Sequence, residues 1–180
     1  MRRSIVAMVL VAGLLVACGG QQTTSGAPAG TGGASTPVAS GTPPPPATPA
    51  ATPTVKQLAA AYLKAVSAFN TATAKITAAG TKLPQGLTYQ KRQAKAYAAA
   101  DLVFIRAVEK IPWYGDYKAL ARRVLTYSNQ VYVADRSAMT AKTWADLNYD
   151  AERSGKASEK SQAASNELRL ALGLPPVPIK

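Results

Sequence analysis

Residues 55–76 read VKQLAAAYLKAVSAFNTATAKI, and the spacing of their apolar positions decides the fold class. Val55, Leu58, Tyr62, Val66, Phe69, Thr73 and Ile76 recur at steps of three and four, which places them on one helical face. Lys56, Lys64, Ser67, Thr71 and Lys75 occupy the other face. Thr54 is the expected N-cap and Gly80 the expected stop, followed by a loop over Thr81–Gly86 that contains Pro84.

The same period continues along the chain. A second helix is predicted from Thr88 to Lys110, with Ala94, Tyr97, Ala98, Asp101, Ile105 and Val108 on one side and Leu102 and Phe104 broadening it. Pro112 ends it, and Trp113-Tyr114-Gly115-Asp116 forms the turn. Asp116 is the expected cap of a third helix, Tyr117 to about Arg136, with Leu120, Ala121, Val124, Leu125, Ser128 and Val131 inward. A fourth helix begins between Thr140 and Thr143 and runs to Leu172. Trp144, Leu147 and Ala151 open its buried face, which turns small through Ser154, Ala157, Ser161, Ala164 and Ser165 before Leu168 and Leu172. Ser154-Gly155 is a possible kink or interruption. Gly173 suits a left-handed C-cap, with Leu174 folding back and Pro175-Pro176 blocking continuation.

Four helices with short loops and no strand-period segment predict an all-α fold, an antiparallel up-down four-helix bundle. The alternative is a three-helix bundle with a mobile fourth element. The domain occupies 54–180. Residues 19–53 are almost entirely Gly, Ala, Ser, Thr and Pro, with no charged residue and Val38 as the single large aliphatic. Such a segment cannot bury enough apolar surface to offset its ordering entropy, so 18–53 is expected to be a disordered Pro/Gly/Thr-rich tether.

At the N-terminus, Arg2 and Arg3 precede the apolar run Ile5–Val16, and Leu15-Val16-Ala17-Cys18 closes it. A basic start, a short apolar core and small residues before a break make an export signal, 1–17, too short to span as an ordinary transmembrane helix. The final four residues resemble the lipobox of bacterial lipoproteins. The resemblance implies that Cys18 receives a diacylglyceryl group and becomes the acylated first residue. Two chains suffice for stable anchoring. The expected address is the extracytoplasmic face of a cell membrane. The helical layout and the ending NELRLALGLPP, 166–176, resemble small helical lipoproteins of unassigned function, a likeness that brings no active site.

Composition narrows the chemistry further. The chain has 21 Lys and Arg against 9 Asp and Glu, and 19 of the cations remain once Arg2 and Arg3 leave with the signal. A basic protein at this address is drawn to anionic lipids, anionic wall polymers or an acidic envelope protein, and nucleic acid is not an expected partner. There is no histidine, which removes the usual general base and the commonest transition-metal ligand. Cys18 is the only cysteine, and lipid would occupy it. No cofactor, metal or catalytic residue is therefore expected, and the chain is not expected to be an enzyme.

Three constellations remain. Arg106, Lys110, Lys118 and Arg122 surround Trp113, Tyr114 and Tyr117 at the turn between the second and third helices. This end either docks on anionic head groups or, the preferred reading, plugs the bundle while its cations keep it solvated. Asp101 lies on an apolar face. It is either a pocket carboxylate of raised pKa or, the preferred reading, an acid paired with Arg122, Arg123 or a tyrosine hydroxyl. Asp146, Asp150, Glu152 and Glu159, beside Arg153 and Lys156, read as a solvated charged face. Lys91, Arg92 and Lys95 read likewise, or as a wall-polymer contact.

The expected function is a lipid-anchored, non-catalytic envelope or interaction module with a basic surface. The alternative is a ligand-binding or sensing lipoprotein with a pocket between helices, near Tyr97, Trp113 and Trp144.

Overall fold

The structure, a computed structural model, describes residues 51–80 and 86–178. Among them lie four helices and no strand: α1 Val55–Gly80, α2 Leu87–Glu109, α3 Gly115–Ala138 and α4 Trp144–Ala171. The signal, Cys18, nearly all of the tether and most of the 81–86 loop lie outside the described residues. No helix among the described residues is long and apolar enough to cross a membrane.

Local chemistry sets the helix ends. Thr54 and Gln57 form a reciprocal cap on α1: the Gln57 amide donates to Thr54 Oγ1 at 3.3 Å and the Thr54 amide to Gln57 Oε1 at 2.7 Å. Thr143 and Asp146 repeat the device on α4, at 3.1 and 3.0 Å. The cap expected of Asp116 is not made. Tyr114 is the N-cap of α3, in extended backbone and without a side-chain bond, and Asp116 sits inside the first turn. There its charge still complements the helix dipole. Gly115 enters that turn at φ 49°, a left-handed conformation with open space around it, so backbone conformation and not crowding calls for glycine. Gly173 does the same after α4, at φ 72°. The Gly173 amide bonds the Leu170 carbonyl at 3.0 Å and the Leu174 amide bonds Arg169 at 2.8 Å, a Schellman stop. α4 passes through Ser154-Gly155 without interruption.

Each helix packs on its neighbour in sequence, α1 on α2, α2 on α3 and α3 on α4. Leu58, Tyr62 and Val66 of α1 share one core with Phe104 and Val108 of α2, Ala121 and Val124 of α3, Ala164 and Leu168 of α4, and Leu172 at its C-cap. Burying each of the large aliphatics here stabilises the fold by about 1.5–3 kcal/mol. A second, smaller cluster joins Ala94, Ala138, Ala141 and Leu147. Trp144, expected on the buried face of α4, stays half exposed. It is the first residue after the Thr143 cap, and Leu147, one turn on, takes the inward position.

Between the two apolar clusters the interior is polar. On α2 Asp101 lies between Ala94 and Phe104, and on α3 Ser128 and Asp135 lie between Val124 and Ala138. On α4 Asp150 and Ser154 follow Leu147 and precede Ala164. All five are buried. Beyond the Schellman stop the chain doubles back along α4. Asn166 Nδ2 donates to the Val177 carbonyl and the Val177 amide donates to Asn166 Oδ1, both at 2.8 Å. Gln162 Nε2 reaches the Pro178 carbonyl at 2.8 Å and Arg169 Nε the Pro175 carbonyl at 2.7 Å.

Candidate functional site

The polar layer opens into a cavity of about 110 Å³ bordered by all four helices and by Val177 of the returning tail. Its walls include Val66 and Phe69 from α1, Phe104 from α2 and Val131 from α3, with Asp101 and Asp135 at one end and Tyr62 and Arg169 at the other. Phe69 and Phe104 meet at 5.5 Å between ring centroids. Most of the lining residues that keep partial contact with solvent are on α1 and α4, among them Asn70, Ser158 and Gln162. The seam between those helices is therefore the mouth. Small side chains explain the space: the Ser154–Ser165 stretch of α4 cannot fill the gap that larger residues would close. Ser128 and Ser161 pair across α3 and α4 at 2.9 Å, and Tyr97 reaches Thr77 of α1 at 3.0 Å.

Electrostatics single out the acid end. Asp101 is 6% exposed and Asp135 2%, and neither has a cation partner among the described residues. Oδ2 of each is buried without a hydrogen-bond partner, as are Ser154 Oγ and Tyr62 Oη. Burial, reinforced by the charge of Asp135, pushes Asp101 up to about 8. Burial raises Asp135 to about 6, opposed by Ser154 and Asp101 and aided by the charge of Asp150. The two carboxyl groups act on each other, so the pair as a whole retains a proton well above the ordinary carboxylate range. At the opposite end Tyr62 is raised by burial, against the lowering effects of Ser165 and Arg169.

These facts correct the expected pairing of Asp101 with Arg122 or Arg123. Arg122 is exposed, and Arg123 grips Glu167 of α4 at the surface, Nη2 to Oε1 at 3.0 Å. The sequence reading missed Asp135 altogether. Its signal was present, since Asp135 follows Ser128 and Val131 at helical spacing. The acidic residues of α4 also separate. Asp150 is buried and bonded to Arg153 at 3.3 Å, in place of the solvated position expected. Asp146 serves the cap, Glu152 pairs with Lys156, and Glu159 is exposed. No group of three His, Cys, Asp or Glu able to hold a metal occurs among the described residues.

The basic-aromatic turn is built as a half-buried plug with cations around it. Trp113 donates from Nε1 to the Val108 carbonyl at 2.9 Å and meets Tyr62 edge-on, and Tyr114 meets Tyr117 edge-on. Arg106, Lys110, Lys118 and Arg122 are exposed. Arg92 and Lys95 are exposed and Lys91 is half-buried. Of the three aromatics expected around a pocket, only Tyr97 lines the cavity. Trp113 belongs to the apolar end and Trp144 to the surface.

Comparison with known proteins finds no matching family model, no similar curated protein and no similar solved structure.

Proposed function

We propose that this chain is a membrane-anchored extracytoplasmic lipoprotein whose helical domain binds a small ligand and performs no covalent chemistry. Lipid on Cys18 is the anchor, residues 18–53 are a disordered tether, and the domain is an antiparallel up-down bundle. Supporting that topology, Thr77 near the end of α1 meets Tyr97 in the first half of α2, and Arg123 early in α3 meets Glu167 late in α4.

The observation that carries the reading is the cavity, a space bordered by four helices and lined by Tyr62, Asp101 and Asp135, each with an oxygen that has no hydrogen-bond partner among the described residues. Small-molecule sites combine apolar walls with a few convergent polar groups, as here. A fragment screen on the full chain tests it, read by thermal shift and by the resonances of Phe69, Ser128 and Ser161. Ligands that raise the melting temperature and move those resonances support the reading. Ligands that move only surface resonances overturn it. For the anchor, mass spectrometry of the native chain is expected to find Cys18 acylated and N-terminal; an intact Met1 contradicts it.

A second reading, a basic surface contacting anionic lipids, wall polymers or an envelope protein, draws on two features. The cations around Trp113 and Tyr114 are exposed, and Arg153, Lys156 and Lys160 line a shallow groove between α3 and α4. Salt-sensitive cosedimentation with anionic but not neutral vesicles would favour it.

A further inference from the structure

We propose that the cavity takes a small organic ammonium ion, its charged head held between Asp101 and Asp135 and its apolar body against Phe69 and Phe104. The inference rests on the reading of the cavity as a ligand site and adds the chemical class of the ligand.

Three observations converge on it. First, two carboxyl groups more than nine-tenths buried line one cavity, each with an Oδ2 that has no hydrogen-bond partner among the described residues. Buried acids elsewhere in proteins are paired, because an unpaired one is costly. Second, the chain has more than twice as many cations as acids, yet among the described residues none forms an ion pair with either acid. Asp150, the nearest other carboxylate, has its own partner in Arg153, and Arg169 is drawn to the far end by Pro175. Among the described residues the pair thus has no internal counter-ion. Third, the wall beside it is aromatic and aliphatic, which suits the hydrocarbon part of an amine, and aromatic faces attract ammonium groups.

An ammonium head carries three donors, enough to satisfy Oδ2 of both acids with one to spare for a serine hydroxyl. The size is also bounded. A dry cavity of about 150 Å³ accepts benzene, so 110 Å³ limits the part of the ligand held inside the mouth to a handful of heavy atoms.

Binding couples to protons. The groups around the pair are Thr73 on α1, Tyr97 on α2, Ser128 on α3, and Asp150 and Ser154 on α4. None of them is a cation, and Arg153 is occupied by Asp150. An ammonium ion therefore favours the ionised pair and displaces the proton that the pair retains. Its affinity rises as pH climbs from about 6 to about 8.

The test uses the full chain with n-butylammonium and its neutral isostere 1-butanol, followed by NMR of the cavity residues. The expected result is that butylammonium binds at least tenfold more tightly than 1-butanol at pH 8, with the preference shrinking at pH 6. In Asp135→Asn and in Asp101→Asn the preference disappears while 1-butanol still binds, which shows the cavity intact. Because the chain is strongly basic, non-specific attraction works against the cation and cannot produce this preference. Equal affinities overturn the ammonium assignment and leave the cavity reading standing. If neither probe moves the cavity resonances, both fail.

Discussion

Asp101 of α2 and Asp135 of α3 share a buried position, and among the described residues neither carboxyl group has a cation partner. In a chain this basic, two interior acids are left together while the described lysines and arginines that form ion pairs do so with other acids. The pair works against stability, and its proton makes that cost depend on pH.

The sign follows from Asp101. Its pKa rises from 3.8 unfolded to about 8 folded, so between those values the folded chain holds a proton that the unfolded chain has released. Stability then falls as pH rises from about 4 to about 8 and levels above it. Asp101→Asn removes the part of that dependence that Asp101 carries, leaves the smaller part of Asp135 below about pH 6, and makes the protein more stable than its parent at pH 8. Urea unfolding at pH 5 and pH 8 checks this; a variant less stable than its parent at pH 8 contradicts it.

Asn166 fastens the returning tail by two bonds to Val177, both from a half-buried side chain. Asn166→Ala is expected to cost about 1–2 kcal/mol and to speed exchange of the Val177 amide. Unchanged exchange at Val177 would show that the tail is held by its other contacts.

Thr143→Ala breaks one half of the capping box on α4 and leaves the Asp146 amide without its acceptor. The expected loss is about 1 kcal/mol, read from the denaturation midpoint at unchanged slope. A loss below about 0.3 kcal/mol would mean that water caps the helix as well as threonine does.

Leu168 and Val103 make a paired test of the core. Leu168 is wholly buried among residues of α1, α2 and α3, whereas Val103 is 58% exposed on α2. Leu168→Ala is expected to cost about 3 kcal/mol or more, and Val103→Ala less than about 0.5 kcal/mol. Similar losses at both positions would contradict the assignment of the core.

Much of the architecture was legible in the sequence. The three- and four-residue steps from Val55 to Ile76 mark α1 directly, and Thr54, Gly80 and Gly173 punctuate the chain where the helices begin and end. The start of α3 was harder to read, because an aspartate after a glycine suits either a cap or a first turn. The left-handed backbone of Gly115, invisible in the residue letters, decides for the turn. The site was half legible. Asp101 stands out on its apolar face, but periodicity says only that it points inward, and a nearby arginine is the ordinary expectation. Which residue meets it depends on how α2 and α3 are aligned along their lengths, and no local pattern specifies that. The tail's attachment to α4 likewise needs Asn166 and Val177 brought together by the turn at Gly173.

The two apolar clusters differ greatly in strength. One is made of leucine, tyrosine, phenylalanine and valine, the other mainly of alanine. Across the belt of aspartates and serines between them, one end grips hard and the other only lightly. Thermal fluctuations therefore part the alanine end first, where the beginnings of α2 and α4 and the close of α3 gather. A guest that bridges Asp101 and Asp135 would clamp that loose end shut, and the molecule would announce its occupancy by ceasing to breathe there.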